Sequence, residues 1–326
     1  MKKIYKRKCL KCKKETIYPV CENCGNKTSA LGCQTRSIDI KHYFEAALHK
    51  LGEKTYPDLI KGVRGTSNSD HVPENLVKGI LRSKYDLHVN KDGTIRYDMS
   101  ELPITHFKPS EVRVPVSRLK ELGYTHDAFG NELANDEQIL ELKPQDVILP
   151  AYESAEESAD SVLFRIAKFI DELLRKFYGE KAFYNLKTKD DLVGHLVVGL
   201  APHISAGIIG RIIGFSQTQG LLAHPLFHAA MRRDCDGDEA SIMLLMDVLL
   251  NFSRKFLPES RGAKTMDSPL VLSSHLIPAE VDDMAHRFET VWQYPLELYE
   301  AALAGKQPWE VKIELLGSRL GTPQQY

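Results

Sequence analysis

Two Cys-x-x-Cys hooks, Cys9-Leu-Lys-Cys12 and Cys21-Glu-Asn-Cys24, stand eight residues apart near the start of the chain. Four thiolates at this spacing can close a tetrahedron around Zn²⁺, and a segment this short acquires a fold once they do. With four sulfur ligands no coordination position stays open, so such a metal would hold a ribbon together and would not activate water. Four free thiols or two disulfides are the competing readings. The ligand spacing of each hook and the reducing compartment inferred below weigh against both. Cys33 and Cys235 remain outside the hooks, and Cys33 reads as a small buried apolar residue.

The hooks sit in the most lopsided part of the sequence. Eight of the first fourteen residues are Lys or Arg, and no acid precedes Glu15. This flank either touches a phosphate backbone or serves only as a soluble terminus. Over all 326 residues the formal net charge is −1, which excludes a protein coated in positive charge for non-specific DNA wrapping. The basic start runs into Cys9 and polar residues rather than an apolar stretch, so no secretory signal is expected. The most apolar run, 192–215, is interrupted by His195, Pro202, His203 and Arg211 and falls short of the ~20 apolar residues of a membrane span. No membrane association and a cytoplasmic location are therefore expected.

Composition normalises after Cys33, and the first module ends near residue 36. Helical periodicity follows at Ile40, Tyr43, Phe44, Ala47, Leu48 and Leu51, with Gly52 placed to end the helix. Residues 87–97 read as a hairpin around Asp92-Gly93, and a second strand pair is expected over 138–149 around Lys143-Pro144-Gln145-Asp146. Residues 117–123 read as a short helix closed by glycine, and 151–159, with three glutamates, as a solvated linker. The clearest helix covers 160–179, with Val162, Ile166, Phe169, Ile170, Leu173, Leu174 and Phe177 on one face and charges opposite. Gly194, Gly199, Gly207, Gly210 and Gly214 suit strand bends or close backbone approach better than a continuous helix.

Chemistry concentrates in Met231-Arg-Arg-Asp234-Cys-Asp236-Gly-Asp238-Glu239-Ala240. On an extended strand Asp234, Asp236 and Asp238 would face one side, and Gly237 would let the backbone curl so that the carboxylates converge. Three carboxylates so placed repel unless a divalent cation joins them, and oxygen ligands select Mg²⁺ or Mn²⁺ over zinc. An EF-hand fails, because Glu239 and Leu245 stand where that loop needs glycine and glutamate. An acidic surface turn is disfavoured by the apolar neighbours, Phe227, Ala229 and Ala230 before it and an apolar helix expected from Ile242 after it. Arg232 and Arg233 either neutralise phosphate oxygens or pair with Asp234 and Glu239; both readings stay open. Pro225 argues against His224 and His228 sharing one regular helix and hence against a second zinc site, leaving them as core or phosphate-contacting residues. His203 with Ser205 is too weak a pairing for a hydrolase.

The segment 234–239 together with Ala223-His-Pro-Leu-Phe-His-Ala-Ala before it closely resembles the catalytic segment of the archaeal family-D DNA polymerase large subunit. Pro103-Ile-Thr-His-Phe-Lys-Pro, Glu121-Leu-Gly-Tyr-Thr-His-Asp, Glu141-Leu-Lys-Pro-Gln-Asp-Val-Ile-Leu-Pro, Gly199-Leu-Ala-Pro-His and Asn251-Phe-Ser-Arg are similar to that family as well. The resemblance implies an α+β chain. Its core would be a double-psi β-barrel of the two-barrel polymerase type, with inserted and flanking helices and an N-terminal zinc ribbon. Under it, 1–36 is the ribbon, 37–150 a mixed α/β part of the barrel region, and 151–326 the catalytic barrel segment with its helices.

The implied activity is that of a DNA-directed DNA polymerase, adding deoxynucleotides to a primer 3′-hydroxyl by Mg²⁺- or Mn²⁺-dependent phosphoryl transfer. By position, Asp236 and Asp238 match the family's catalytic aspartates and Asp234 would complete or orient the site. Arg232, Arg233, Arg261 and Lys264 are candidate phosphate contacts. The implied partners are primer-template DNA, a deoxynucleoside triphosphate, the N-terminal part of the large subunit with a second barrel and its lysines, and a small subunit with 3′→5′ exonuclease activity. Met231 stands where the family commonly has lysine, Ala240 where it commonly has another acid, and the chain is far shorter than the full large subunit. An RNA-polymerase-like nucleotidyltransferase subunit and a non-catalytic zinc-ribbon DNA-binding or assembly module are the alternative readings.

Overall fold

Antiparallel pairing of Arg7–Cys9 with both Glu15–Thr16 and Thr28–Ala30 builds the N-terminal ribbon around the cysteine hooks. The computed structural model describes residues 4–31, 38–55, 57–63, 72–152, 157–202, 204, 206–257, 260–261, 264–265 and 270–325, with only the backbone of 260–261 and 264–265. Cys33, His203, Ser205, Glu153 and Glu156 lie outside the described residues, and so do the readings placed on them. The chain forms two compact units, Met1–Tyr97 with Ser161–Lys189 and Met243–Leu270, and Asp98–Asp160 with Asp190–Ile242 and Val271–Tyr326.

The first unit joins the ribbon to helices. Ile40–Leu51 is a helix whose Asp39 caps the His42 N–H and whose end is set by Gly52 at φ 69°. Leu76–Lys84 carries Arg82, a fully buried guanidinium held by two 2.8 Å bonds to Glu74 and one of 3.0 Å to the Gly93 carbonyl. Removing one partner would strand the other charge in the core, at a cost of ~3–5 kcal/mol. Ala159–Leu173 is the long apolar-faced helix, continued by a π-helical turn, Leu174–Tyr178, that stops at Gly179. Its charged face is not wholly solvated as the periodicity implied. Asp171 is buried and accepts the Phe183, Tyr184 and Asn185 N–H groups, while Glu172 is buried against Lys84, Tyr85 and Lys176.

The hairpin expected over 87–97 is a turn followed by the single strand Tyr97–Pro103. Asp92 takes the Thr94 N–H and hydroxyl, and the Ile95 N–H donates to the buried Asp247 carboxylate at 2.7 Å, so those donors are spent on carboxylates rather than on a ladder.

A seven-stranded sheet organises the second unit. Across it run Val271–Ser273, Ala206–Ser216, Asp146–Pro150, Leu221–Ala223, Tyr97–Pro103, Glu239–Leu244 and Leu196–Leu200. Leu196–Leu200 also pairs antiparallel with Ala206–Ser216, from Leu196 opposite Arg211 to Leu200 opposite Gly207. The inner six strands thereby close into a mixed barrel, with parallel Asp146–Pro150 beside Ala206–Ser216 and parallel Leu221–Ala223 beside Tyr97–Pro103. Closure removes the free edges that an open sheet would expose.

Phe227 fixes two glycines on this wall: a Cβ at Gly199 or Gly210 would lie 2.9 Å from its ring, so only glycine admits the helix Pro225–Ala230 so close. Two expectations change here. Leu140–Glu141 pairs with His106–Phe107, not with Asp146–Pro150, because Asp146 anchors its strand to Arg211 by two 2.8 Å bonds and to the Tyr124 hydroxyl at 2.6 Å. Residues 242–244 extend the strand Glu239–Leu244, and the helix begins only at Leu245; the apolar run fills a barrel strand before it turns helical.

Candidate functional site

Each cysteine hook closes on itself in the same way. The Cys9 N–H donates to the Lys14 carbonyl and the Cys21 N–H to the Asn26 carbonyl, both at 2.9 Å. The residue after each second cysteine turns left-handed, Lys13 at φ 60° and Gly25 at φ 69°. As a result the four Sγ atoms lie within 4.8 Å of one another, with Cys9 next to Cys24 at 3.4 Å and Cys12 next to Cys21 at 3.6 Å. The Asn26 backbone N–H, helped by Cys9, lowers the Cys24 thiol to about 6, while burial pushes the Cys21 thiol up to about 11. The four cysteines could hold a zinc ion, and the donor set is the closed, all-sulfur kind that suits a structural site.

The aspartates are arranged differently. They lie in the loop between the helix Pro225–Ala230 and the strand Glu239–Leu244, not on an extended strand. Left-handed backbone at Cys235, φ 63°, and Gly237, φ 98°, on either side of Asp236 breaks the alternation that would have put the three carboxylates on one face. Asp234 and Asp236 are exposed and Asp238 is half-exposed. Among the described residues the cysteines are the group of three or more metal-ligating side chains whose atoms lie within 4.8 Å, and Asp234, Asp236 and Asp238 do not gather so tightly.

Arg233 and Arg232 continue the turn at the end of the same helix, their N–H groups donating to the His228 and Ala229 carbonyls. Arg233 pairs with Asp238, Nη1 to Oδ2 at 3.0 Å, rather than with Asp234 or Glu239. Arg232 is exposed. A cleft of about 600 Å³ beside the loop is lined by Arg232, Arg233, Asp234, His275, Glu280 and Asp282. Arg261 and Lys264 face each other across the short pairing of Ser260–Arg261 with Lys264–Thr265, in the first unit, and their side chains lie outside the described residues.

His224 and His228 belong to the core. His224 caps the helix Pro225–Ala230 by accepting the Leu226 N–H at 3.2 Å, and burial lowers it to about 3, so its ring is neutral. His228 is fully buried within that helix. Cys235 sits in the aspartate loop with its thiol raised to about 12 by burial, which leaves it unreactive.

One residue at the loop escaped the sequence reading. Glu101, fully buried in Tyr97–Pro103, accepts the Asp236 N–H through Oε1 at 3.0 Å and donates its own N–H to the Asp238 carbonyl at 2.9 Å. The available signal was alternation, since Met99 and Glu101 share the buried face of one strand.

Residues 52–326 match the family model described as DNA polymerase II large subunit DP2, catalytic domain. The chain is similar to the DNA polymerase II large subunit of Archaeoglobus fulgidus, with 51% identity over 314 residues, 96% of this chain and 27% of that protein. It is also similar to those of Methanothermobacter thermautotrophicus, with 47% identity over 98% of this chain and 29% of the relative, and Methanococcus vannielii, with 47% over 97% and 27%. The chain thus spans under a third of the length of these curated relatives. Among the described residues no helix is long and apolar enough to cross a membrane.

Proposed function

The chain belongs to the DNA polymerase II large-subunit catalytic-domain family, and from that premise we propose that it is the nucleotide-adding segment of a DNA-directed DNA polymerase. The observation that carries the reading is the loop itself. Asp236 and Asp238 project from one turn whose backbone is tied on both sides to a closed barrel. Neither the RNA-polymerase-like nor the non-catalytic alternative has an observation in its favour. We assign the barrel to the double-psi type on the family resemblance, and the N-terminal part of the large subunit, the exonuclease small subunit, primer-template DNA and deoxynucleoside triphosphate as its partners.

The donor sets fit two different metals. Four sulfurs in the ribbon suit Zn²⁺, and the oxygen-only, solvent-accessible carboxylates of Asp236 and Asp238 suit Mg²⁺ or Mn²⁺, with Asp234 at the outer end of the loop to orient the site. When bound, Mg²⁺ or Mn²⁺ supplies Lewis-acid polarisation of the primer hydroxyl and of the triphosphate. The chain's own residues do the rest. Arg232 and Arg233 line the cleft with Asp234, where their guanidinium groups can neutralise non-bridging phosphate oxygens. Arg233 meanwhile pairs with Asp238, so a phosphate that engaged Arg233 would leave that carboxylate available to hold the metal. Arg261 and Lys264 are offered as further phosphate contacts.

Primer extension by the full large subunit in complex with its small subunit tests this. Asp236→Asn and Asp238→Asn are each expected to reduce nucleotide addition to background while thermal unfolding stays close to wild type, because an amide has the same shape but a poorer claim on a hard cation. Wild-type extension rates in both variants would place the chemistry elsewhere.

A further inference from the structure

We infer that Glu101 and His228 form a positioning pair that sets the height and orientation of Asp236, and through it the metal-binding geometry of the loop. The inference rests on the reading of Asp236 and Asp238 as metal-holding residues and adds the element that holds them. Glu101 lies at a fixed point of the barrel wall, and one residue grips the loop twice. Its carboxylate receives the Asp236 N–H at 3.0 Å, and its N–H reaches the Asp238 carbonyl at 2.9 Å. These two bonds straddle Gly237, and Asp236 stands between the left-handed residues Cys235 and Gly237, where the loop has no ladder of its own to define its shape.

A second buried side chain faces the other oxygen of the same carboxylate. Glu101 and His228 are both fully buried, and Oε2 of Glu101 lies 3.0 Å from Nδ1 of His228. Among the described residues Oε2 and both ring nitrogens of His228 complete no hydrogen bond, so their 3.0 Å approach is a polar contact at ion-pair distance between two otherwise unsatisfied buried groups. Burying a carboxylate is expensive unless it is paired, and a merely structural role would be met more cheaply by an apolar residue of the same volume. His228 also ties the pair to the arginines, because its own carbonyl receives the Arg233 N–H at 3.0 Å. One helix turn, one barrel strand and the aspartate loop thus meet at Glu101. Outer partners of this kind orient metal-holding groups, and their loss costs ~10–100-fold in metal affinity or activity.

The test uses the full two-subunit enzyme and reads two things: primer extension against Mg²⁺ and Mn²⁺ concentration, and Mn²⁺ binding itself by electron paramagnetic resonance, in which the same shift in metal affinity is expected without turnover. Glu101→Met fills the same space but replaces the carboxylate with only a weak thioether acceptor. It is expected to raise the metal concentration for half-maximal activity by ~10–100-fold, with KM for primer-template unchanged and partial recovery at high Mn²⁺. Glu101→Gln keeps an acceptor for the Asp236 N–H and is expected to recover most of that loss. Should Glu101→Met fold poorly, His228→Leu carries the same reading, since it frees Oε2 and is expected to shift the metal dependence in the same direction. A folded Glu101→Met or His228→Leu enzyme with wild-type metal dependence overturns the inference. Asp236→Asn separates the two levels. If it is inactive while Glu101→Met is normal, only the positioning role falls; if it is active, the assignment of the loop falls first.

Discussion

The cysteine hooks and the aspartate loop are both short, both carry ligand-type side chains at tight spacing, and both use left-handed residues, yet they end in opposite states. In the hooks the chain itself gathers the ligands: one backbone bond closes each hook, and four sulfurs converge with Cys9 and Cys21 buried. In the loop the backbone is what is fixed, by Glu101, while Asp234 and Asp236 stay in solvent and Asp238 is shared with Arg233. A site whose metal only holds the fold can be saturated by the protein. On the proposed reading the loop admits a substrate and has to keep its ligands accessible, so its precision moves into the backbone behind them.

The contrast is broken most directly at the ribbon. Purified complex is expected to carry about one zinc per ribbon, and chelation or Cys21→Ser is expected to unfold residues 7–30, since structural zinc contributes ~10–16 kcal/mol to modules of this kind. Metal analysis with limited proteolysis of the ribbon reads both effects. A ribbon that stays protected after the zinc is removed would mean that its hooks, like the loop, are shaped by the backbone alone.

What could be read from the sequence divides along the same line. The hooks were legible because the backbone bond that closes each one is local, and Ile40–Leu51 with Gly52 and the long apolar helix were legible from periodicity and a glycine stop. The aspartates stood out as a cluster, but their spacing suggested one strand face, and Cys235 and Gly237 turned it into a bent loop. Glu101 was missed because its partner Asp236 lies 135 positions away, and the hairpin at Asp92-Gly93 failed because Ile95 spends its N–H on Asp247, 152 positions away. Residues 242–244 read as helix because their apolar run fits either state, and pairing within the barrel decided it.

A carboxylate of a third kind sharpens the comparison at intermediate size. Asp247 is fully buried, accepts the Ile95 N–H and the Asn251 amide, and is raised by burial to about 6. Between the ordinary aspartate value of 3.8 and about 6 the folded state binds the proton and the unfolded state does not, so this group makes stability fall as pH rises through that window. Asp247→Asn is expected to remove the slope and to add ~1–3 kcal/mol above pH 6. The buried Asn251 Oδ1, which has no hydrogen-bond partner among the described residues, would gain a donor if its amide reversed. Thermal unfolding of both proteins from pH 4 to pH 8 measures it. Parallel pH profiles would show that burial is not what distinguishes Asp247 from the loop aspartates.

The smallest test lies inside the ribbon, where two equivalent positions carry different residues. Lys13 and Gly25 each follow the second cysteine of a hook and take φ 60° and φ 69°, but only one is glycine. A side chain in this conformation costs ~1–2 kcal/mol, and nothing lies within 4 Å of where a Cβ at Gly25 would stand, so the penalty there would be purely conformational. Gly25→Ala is therefore expected to lower ribbon stability by ~1 kcal/mol, and Lys13→Gly to raise it by up to ~1 kcal/mol, less what glycine returns to the unfolded chain. Zinc affinity by competition with a chelator reports both, because folding and binding are one equilibrium in such a module. Opposite shifts of similar size support two hooks built on one plan. A loss at both positions would show instead that the Lys13 side chain contributes more than its backbone strain costs, and that the two hooks reach the same geometry for different reasons.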